Sequence, residues 1–335
     1  MNEPDSSQGS PAVVVGVDGS PGAAEALRWA LAEARLRKAP LRIVHAWTLG
    51  YETVTGGSGA IRWYGSESLG VDVTNLARAA QAVLEQATDP IIEDVEVTLD
   101  ALREELHLFA SREGSMVGPI TITDSGDTID LRRMGSGGWA VPSIVEENVI
   151  TFRKHEAKYV LLIEKDAVWT RFNEDKFWKR NNCIIVQGGG QPPRGVRRLV
   201  QRLHKELKLP VYVLVDNDPW GFYIYSVMKQ GSINLAYESM RMAVPDARFI
   251  GLSSFDKEKY KLPGNVAIKM DDGDNNRAKQ MLAYPWFKHA RWQREIQEMI
   301  KSGLKFEIQA LSRHGISFIT EEYLPKKLKD RDWLE

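Results

Sequence analysis

The chain has 335 residues, of which 43% are hydrophobic and 27% charged, and its formal net charge at pH 7 is −1. This length allows two domain cores, and no apolar run reaches the roughly 18 residues of a membrane helix, so we expect no membrane segment. The polar first ten residues lack the positive start of a signal peptide and the only cysteine is Cys183, which together predict a cytoplasmic protein without an internal disulfide.

The first predicted elements form a strand–helix–strand unit. Residues 1–11 are rich in serine, glycine and proline and are predicted to be disordered. The apolar run 12–18 predicts a buried strand, and an alanine- and leucine-rich helix follows to about Arg37. Residues 41–46 predict a second strand, joined to the first by a right-handed crossover.

This unit resembles half of a universal stress protein over about residues 12–88. The stretches that carry the resemblance are Val14-Val-Gly-Val-Asp-Gly-Ser20, Arg28-Trp-Ala-Leu-Ala-Glu-Ala34 and Val44-His-Ala-Trp47. The resemblance implies that Asp18 meets a nucleobase edge, and a simple turn at the end of the strand is the alternative role for this residue. The glycine-rich phosphate loop of the ATP-binding members has no counterpart in the corresponding place, so the phosphates of a nucleotide would lack their usual cradle.

Two further segments precede the C-terminal region. Residues 48–72 are glycine-rich and are predicted to be a loop that contains Tyr64. In the stretch from residue 91 to 123, a helix is predicted through Val95 to about Leu102. Two short strands, 106–109 and 120–123, are then predicted to form a hairpin.

Three carboxylates follow two short apolar runs. Glu164 follows the run 159–163, and Asp216 and Asp218 follow the run 211–215. Both runs are rich in β-branched and aliphatic residues and predict buried parallel strands, whose carboxyl ends line the ligand crevice of an open α/β sheet. The three acids are therefore expected to converge there, and their repulsion favours a hard cation such as Mg²⁺. A solvated turn with a helix-capping acid is the alternative.

Basic residues concentrate on the helix that is predicted between these two strands. Several of them stand four residues apart, which places them on one helix face. Guanidinium groups pair bidentately with phosphate oxygens, so this face is a candidate for binding the backbone of nucleic acid, and a solvated helix face is the alternative. The residues are Arg194, Arg197, Arg198, Arg202, Lys205 and Lys208. A separate acidic turn, Asp271 to Asp274, could bind a cation but is more typical of a solvated turn.

From about residue 91 to its C-terminus the chain resembles the A subunit of DNA topoisomerase VI, a family that includes the meiotic double-strand-break transesterase. The matching stretches are Ile163-Glu-Lys-Asp-Ala167, Gly189-Gly-Gln-Pro-Pro-Arg194, Val215-Asp-Asn-Asp-Pro-Trp-Gly221, Trp292-Gln-Arg-Glu-Ile-Gln297, Glu307-Ile-Gln-Ala-Leu-Ser312 and Tyr323-Leu-Pro-Lys-Lys327. The resemblance implies an α/β fold, a Toprim-type, Rossmann-like parallel sheet with helices on both faces, over residues 136–335. Residues 89–135 would then be a winged-helix remnant and hairpin.

The resemblance also implies a chemistry. Glu164, Asp216 and Asp218 would hold Mg²⁺, and Lys165 and Arg194 would hold neighbouring phosphates of double-stranded DNA. The family works as a homodimer together with a B-type ATPase partner, and it breaks DNA by the attack of a tyrosine hydroxyl on phosphorus. That tyrosine belongs to the winged helix, which is replaced here by the stress-protein-like segment. Tyr64 stands in a faintly similar motif, Trp63-Tyr-Gly-Ser-Glu67, and a surface loop aromatic is its alternative role.

Three functions are consistent with this sequence. The first is the A subunit of a type IIB DNA topoisomerase that cleaves and rejoins strands by Mg²⁺-dependent transesterification, with its nucleophilic tyrosine missing. The second is a nucleotide-binding module of the stress-protein type, which the absent phosphate loop disfavours. The third is an inactive chimera of two folds joined near residue 88, in which the carboxylates remain but no group attacks phosphorus.

Overall fold

A computed structural model describes residues 13–17, 21–45, 97–98, 113–231 and 241–335. The chain divides into two compact units, Met1–Leu108 and Phe109–Glu335. Within the described residues, none of the helices combines the length and the apolar character that crossing a bilayer requires.

The first unit contains a parallel sheet of the order β1-β2-β3, in which β2 pairs with both neighbours. Its elements are β1 (Val13–Val17), α1 (Pro21–Arg37), β2 (Leu41–His45) and β3 (Val97–Thr98). Leu27, Ala30 and Ala34 are buried, because their spacing places them on one face of α1. The predicted strand–helix–strand unit is confirmed.

The second unit is built on a larger set of strands and helices. The strands are β4 (Ser115–Val117), β5 (Ile120–Asp124), β6 (Asp127–Asp130), β7 (Trp139–Ala140), β8 (Ile150–His155), β9 (Tyr159–Ile163), β10 (Cys183–Gln187), β11 (Val211–Leu214), β12 (Arg248–Phe249), β13 (Ala267–Lys269) and β14 (Leu304–Phe306). The helices are α2 (Asp166–Glu174), α3 (Phe177–Arg180), α4 (Arg194–Leu207), α5 (Pro219–Gln230), α6 (Asp256–Lys259), α7 (Asp272–Met281), α8 (Ala290–Ser302) and α9 (Leu324–Asp330).

The main sheet of this unit has the order β12-β11-β9-β10-β4-β7. The first four strands are parallel, and β4 and β7 extend the sheet in antiparallel fashion. The two runs that precede the predicted metal ligands are neighbours, since Leu214 of β11 lies opposite Ile163 of β9. The carboxyl ends of these strands therefore meet at one edge, as the sequence predicts.

Alternating burial explains why helices cover both faces of this sheet. Val160 and Leu162 of β9 pack into a core with the buried faces of α4 and α5. Leu161 and Ile163 point the other way and pack with α2 and α3. Every residue of β9 is buried, so the strand reads as an uninterrupted apolar run, which is the signature of a covered parallel strand. The predicted α/β fold with helices on both faces is confirmed, and Cys183 is buried as expected.

A smaller antiparallel sheet, of the order β6-β5-β8, precedes the main parallel strands. Its central strand β5 includes the predicted strand 120–123, and it pairs with β6 and β8. The predicted hairpin partner, residues 106–109, lies outside the described residues. Strands β13 and β14 form a separate two-stranded antiparallel sheet.

Candidate metal centre

Glu164 is the first residue after β9. Its backbone N–H donates to the carbonyl of Leu214, at 3.1 Å, which continues the strand pairing to this point. Its side-chain Oε2 is buried and has no hydrogen-bond partner within the described part of the chain. A buried carboxylate oxygen without a partner is costly, so Glu164 can accept a hydrogen-bond donor or bind a cation at this atom.

Asp216 and Asp218 flank the turn that leads from β11 into α5. Asp216 is buried, and its Oδ1 accepts the backbone N–H of Ile308 at 2.8 Å. Asp218 caps α5 by accepting the N–H of Gly221 at 2.5 Å. Residue 221 must be glycine here, because a Cβ atom would stand 2.6 Å from the carbonyl oxygen of Asp216. The helix-capping role proposed as the alternative is thus confirmed for Asp218, and it does not account for Glu164.

The electrostatics show that the three acids share one neighbourhood. Burial, together with the charges of Asp216 and Asp218, raises the pKa of Glu164 to about 7. Burial also raises the pKa of Asp218, with a further contribution from Asp216. Adjacent carboxylates oppose one another's ionisation, and this is the repulsion that the sequence predicts.

Lys165 supplies positive charge to the cluster. Its Nζ lies 2.7 Å from Oδ2 of Asp216 and 3.5 Å from Oε2 of Glu307, and it donates to Oε1 of Gln309 at 3.2 Å. Both oxygens of Asp216 are therefore engaged, one by Lys165 and one by Ile308. The sequence assigned Lys165 to a neighbouring phosphate, whereas the structure places it as the counter-ion of Asp216.

The turn between Asp216 and Asp218 is fixed by a second layer of contacts that the sequence did not reveal. Asn217 is fully buried and exchanges two backbone hydrogen bonds with Phe306, each of 2.9 Å. Its side chain donates to Oγ of Ser254 at 3.1 Å and to Oε1 of Glu295 at 3.3 Å. The carboxylate of Glu295, on α8, also accepts a hydrogen bond from the hydroxyl of Ser253 at 2.9 Å and one from the backbone N–H of Ser254.

The burial of Glu295 could have been predicted from its spacing in the sequence. On α8 it stands three residues after Trp292 and four before Met299, both of which are fully buried. Residues at this spacing share a helix face, so a carboxylate among them must be buried with partners. Burial raises the pKa of Glu295, opposed by the hydrogen bonds from Ser254 and Ser253.

The fit of these residues to a hard cation is partial in this conformation. Among the described residues, no three acidic, histidine or cysteine side chains stand close enough together to enclose one metal ion. The donor chemistry nevertheless fits, since Mg²⁺ prefers carboxylate oxygens and keeps several of its waters. Glu164 offers a buried oxygen without a partner in the described part of the chain, whereas Lys165 and Ile308 already engage both oxygens of Asp216.

The predicted phosphate-binding arginines of α4 have partners within the protein. Arg198 pairs with Glu146, with 2.7 Å between Nη2 and Oε2. Arg202 is almost fully buried and donates to the carbonyls of Val145 and Ile150. The helix face that carries them packs inward, which differs from the exposed row that the spacing predicts. Arg197 is likewise buried, and Arg194 is the first residue of α4.

Two other acidic residues are explained by helix capping. Asp271 and Asp274 form a capping box at the start of α7, and Asp274 pairs with Lys305 at 2.7 Å. The solvated turn that the sequence favours over a cation site is found for the exposed Asp271, whereas Asp274 is buried and paired with Lys305. Tyr64 and Asp18, the predicted nucleophile and nucleotide contact, lie outside the described residues.

Three family models match the chain. Residues 159–328, about half of the chain, match the Toprim domain of Spo11 and of the topoisomerase 6 A subunit. Residues 113–156 match the all-beta domain in the alpha subunit of DNA topoisomerase VI. Residues 11–114 match the universal stress protein family.

The chain is also similar to curated proteins over its C-terminal part. It is 45% identical to the A subunit of type 2 DNA topoisomerase 6 from Pyrococcus horikoshii over 253 residues, which cover 72% of this chain and 65% of that protein. The corresponding protein of Hyperthermus butylicus is 42% identical, with 75% and 67% covered. The A subunit of DNA topoisomerase 6 from Arabidopsis thaliana is 39% identical, with 74% and 58% covered. The chain thus spans about two thirds of the length of its archaeal relatives.

Proposed function

The chain belongs to the family of topoisomerase VI A subunits, and from this premise we propose that it is an A-type subunit that works on the backbone of double-stranded DNA. Its Toprim unit would supply the Mg²⁺-binding half of strand cleavage and rejoining by transesterification, while the nucleophilic tyrosine is missing from its expected place. We further propose that it functions in the cytoplasm as a homodimer, together with a topoisomerase VI B-type ATPase subunit.

One observation supports the metal-binding part of this proposal above all others. Glu164 keeps a buried oxygen without a partner in the described part of the chain, beside two further carboxylates, at the carboxyl edge of a parallel sheet. A structural carboxylate at this depth would be paired, since an orphan acceptor costs about 1–3 kcal/mol. We infer that Glu164, Asp216 and Asp218 are the residues that hold Mg²⁺.

Each residue then has a definable role. When bound, Mg²⁺ would supply positive charge next to the phosphate under attack and to the oxygen that leaves. Glu164 would hold no proton at that point, because a cation favours its charged form. Lys165 would leave Asp216 and keep its contacts with Glu307 and Gln309, which hold its ammonium group close to the DNA backbone.

The nucleophile would have to come from outside the Toprim unit, because the family's tyrosine belongs to the winged helix that the stress-protein-like segment replaces. Tyr64 is the candidate that its motif suggests, in the segment that matches the stress-protein family. If no tyrosine reaches the phosphate, the chain binds metal and DNA without breaking a strand, as the inactive chimera would.

The stability of the full chain with and without Mg²⁺ tests the metal site. Thermal denaturation should show a rise in Tm on addition of millimolar Mg²⁺, because a ligand that binds only the native state stabilises it. The rise should vanish in the double variant Asp216→Asn, Asp218→Asn. Asp272→Asn, which removes an exposed acid from the first turn of α7, is the matched control and should respond as the wild type does. An unchanged rise in the double variant would place the metal elsewhere.

A second function, nucleotide binding by the first unit, has one observation in its favour. The stress-protein model covers residues 11–114, and the described strands and helix of that unit form a parallel α/β arrangement. Asp18 is the residue we would assign to a nucleobase. Without a phosphate loop we expect ATP to bind no more tightly than about 1 mM. Micromolar affinity by calorimetry that is lost in Asp18→Ala would establish this second function.

A further inference from the structure

One arginine near the candidate metal centre is held by aromatic rings. Arg277 lies on α7, and its guanidinium carbon is 3.8 Å from the ring centre of Trp220 and 4.8 Å from that of Tyr223. The two rings stand perpendicular to one another, with 6.2 Å between their centres. Among the described residues, no carboxylate forms an ion pair with Arg277, in contrast to Arg198 with Glu146.

Within the described part of the chain Arg277 forms neither a hydrogen bond nor an ion pair, so the protein does not use its N–H donors. A guanidinium group stacks through its flat faces, whereas its N–H donors point outward in the plane. Trp220 is 42% exposed, so the cluster lies at the protein surface. Two aromatic side chains therefore restrict the guanidinium group through ring contacts, which lowers the entropy lost when its N–H donors bind an anion.

The position of the cluster links it to the carboxylates. Trp220 stands two residues after Asp218, in the first turn of α5. Arg277 itself lies on α7, whose first turn contains Asp274, the residue that pairs with Lys305. Both Asp274 and Lys305 act electrostatically on Asp218. Arg277 on α7 and the two rings on α5 thus lie on the helices that border the Asp218 end of the candidate centre.

We propose that Arg277, held by Trp220 and Tyr223, binds a backbone phosphate of double-stranded DNA beside the metal centre. This inference rests on the proposed function, since it takes DNA as the ligand. The planar fork matches two phosphate oxygens, and a contact with phosphate carries no sequence information. Arg277 therefore replaces the buried Arg202 as the arginine that we expect to face the DNA.

The test measures binding of a fluorescently labelled DNA duplex to the full chain by anisotropy, in EDTA and at several salt concentrations. Arg277→Ala should weaken binding several-fold at low salt and reduce the slope of log K against log salt by about 0.9, the value for one lost phosphate contact. Arg277→Lys should keep the slope, because it keeps the charge, and lose part of the affinity. Lys279→Ala is the matched control, since Lys279 is exposed on the same helix about 200° away.

A further pair of variants tests the role of the ring. Trp220→Ala should weaken binding in the wild-type background and have no added effect in Arg277→Ala, because the ring acts through the arginine. An unchanged salt slope in Arg277→Ala, or an equal change in Lys279→Ala, would overturn the inference while DNA binding by the wild type stands. A wild-type chain that binds no duplex would instead refute the proposed function, and this inference with it.

Discussion

At the scale of single residues, the candidate metal centre places three carboxyl groups, those of Glu164, Asp216 and Asp218, close to a single ammonium group, that of Lys165. Glu164 has a buried oxygen without a partner among the described residues, and the ammonium group of the adjacent Lys165 is engaged by Asp216. Sequence spacing identified the three acids, because a strand end followed by an acid is a local pattern. It could not show which of them Lys165 would neutralise, since that depends on a side-chain conformation.

Glu164 should make the stability of the metal-free protein depend on pH. Its pKa is about 7 in the folded chain against 4.5 as the usual value, so the folded state holds a proton that the unfolded state has released between these two pH values. The stability of the wild type therefore falls as pH rises through this window, by about 3 kcal/mol from this group. Glu164→Gln cannot ionise and should gain that difference at pH 8 but not at pH 4.5.

Urea denaturation in EDTA at the two pH values measures this effect. Glu147→Gln serves as the control, because Glu147 is exposed and should give the same difference from wild type at both values. An advantage of Glu164→Gln that does not change with pH would mean that the carboxyl ionises normally.

Lys165 should compete with Mg²⁺ for Asp216. Lys165→Met removes a cation from a largely buried partner, which should lower the stability of the metal-free protein by about 2 kcal/mol. The same change frees an oxygen of Asp216, so Mg²⁺ affinity should rise about tenfold, measured by calorimetry. Lys158→Met, an exposed lysine at the opposite end of β9, should alter neither quantity. Weaker Mg²⁺ binding in Lys165→Met would show that the lysine supports the metal rather than excluding it.

At the scale of elements, the strands and helices around the site were predictable because their patterns are local. The uninterrupted apolar run of β9 and the glycine and proline residues around α5 identify these elements without tertiary information. The placement of α4 was not predictable to the same degree. Helical spacing puts Arg198 and Arg202 on a shared face, but only the packing of residues 145–152 against that face shows that it is covered.

The contacts of α8 with the carboxylate turn give a prediction for this element. Glu295→Ala would leave the donors of Ser253, Ser254 and Asn217 without their acceptor, which should cost about 3 kcal/mol of stability. Because Asn217 lies between Asp216 and Asp218, Mg²⁺ affinity should fall as well. Glu298→Ala, which removes a more exposed carboxylate from the same helix, should cost less than about 1 kcal/mol and leave Mg²⁺ affinity unchanged. A loss of stability in Glu295→Ala without any loss of Mg²⁺ affinity would confine this residue to a structural role.

At the scale of the whole molecule, two family matches share one chain, and the boundary between the two compact units lies within the stress-protein match. The Toprim match begins only after residue 158, which is where the parallel strands with the candidate carboxylates begin. The sequence could identify both families from short stretches. It did not reveal the all-beta domain that matches residues 113–156, because the strands of this segment are short and β5, β6 and β8 pair within their own small sheet.

The whole chain should not form a covalent link to DNA. With a B-type partner, Mg²⁺ and supercoiled plasmid, a denaturing trap should recover no phosphotyrosyl adduct. The reason is that the family's winged-helix tyrosine has no identified counterpart here. Within the Toprim unit Tyr212, Tyr225 and Tyr323 are buried, and burial raises the pKa of Tyr225 and Tyr323. A cross-linked peptide that contains Tyr64 would contradict this expectation and identify the nucleophile.

The contacts of Asp216 also bear on how the protein is made. Asp216 accepts a hydrogen bond from Ile308, and Lys165 is steadied by Gln309, so groups far apart in the sequence must meet. A ribosome synthesises about 5–20 residues per second, so β9 and β11 emerge several seconds before these partners do. During that interval the nascent chain contains Glu164, Asp216 and Asp218 but not yet Ile308 and Gln309. Translation itself therefore sets the earliest moment at which the centre can be complete.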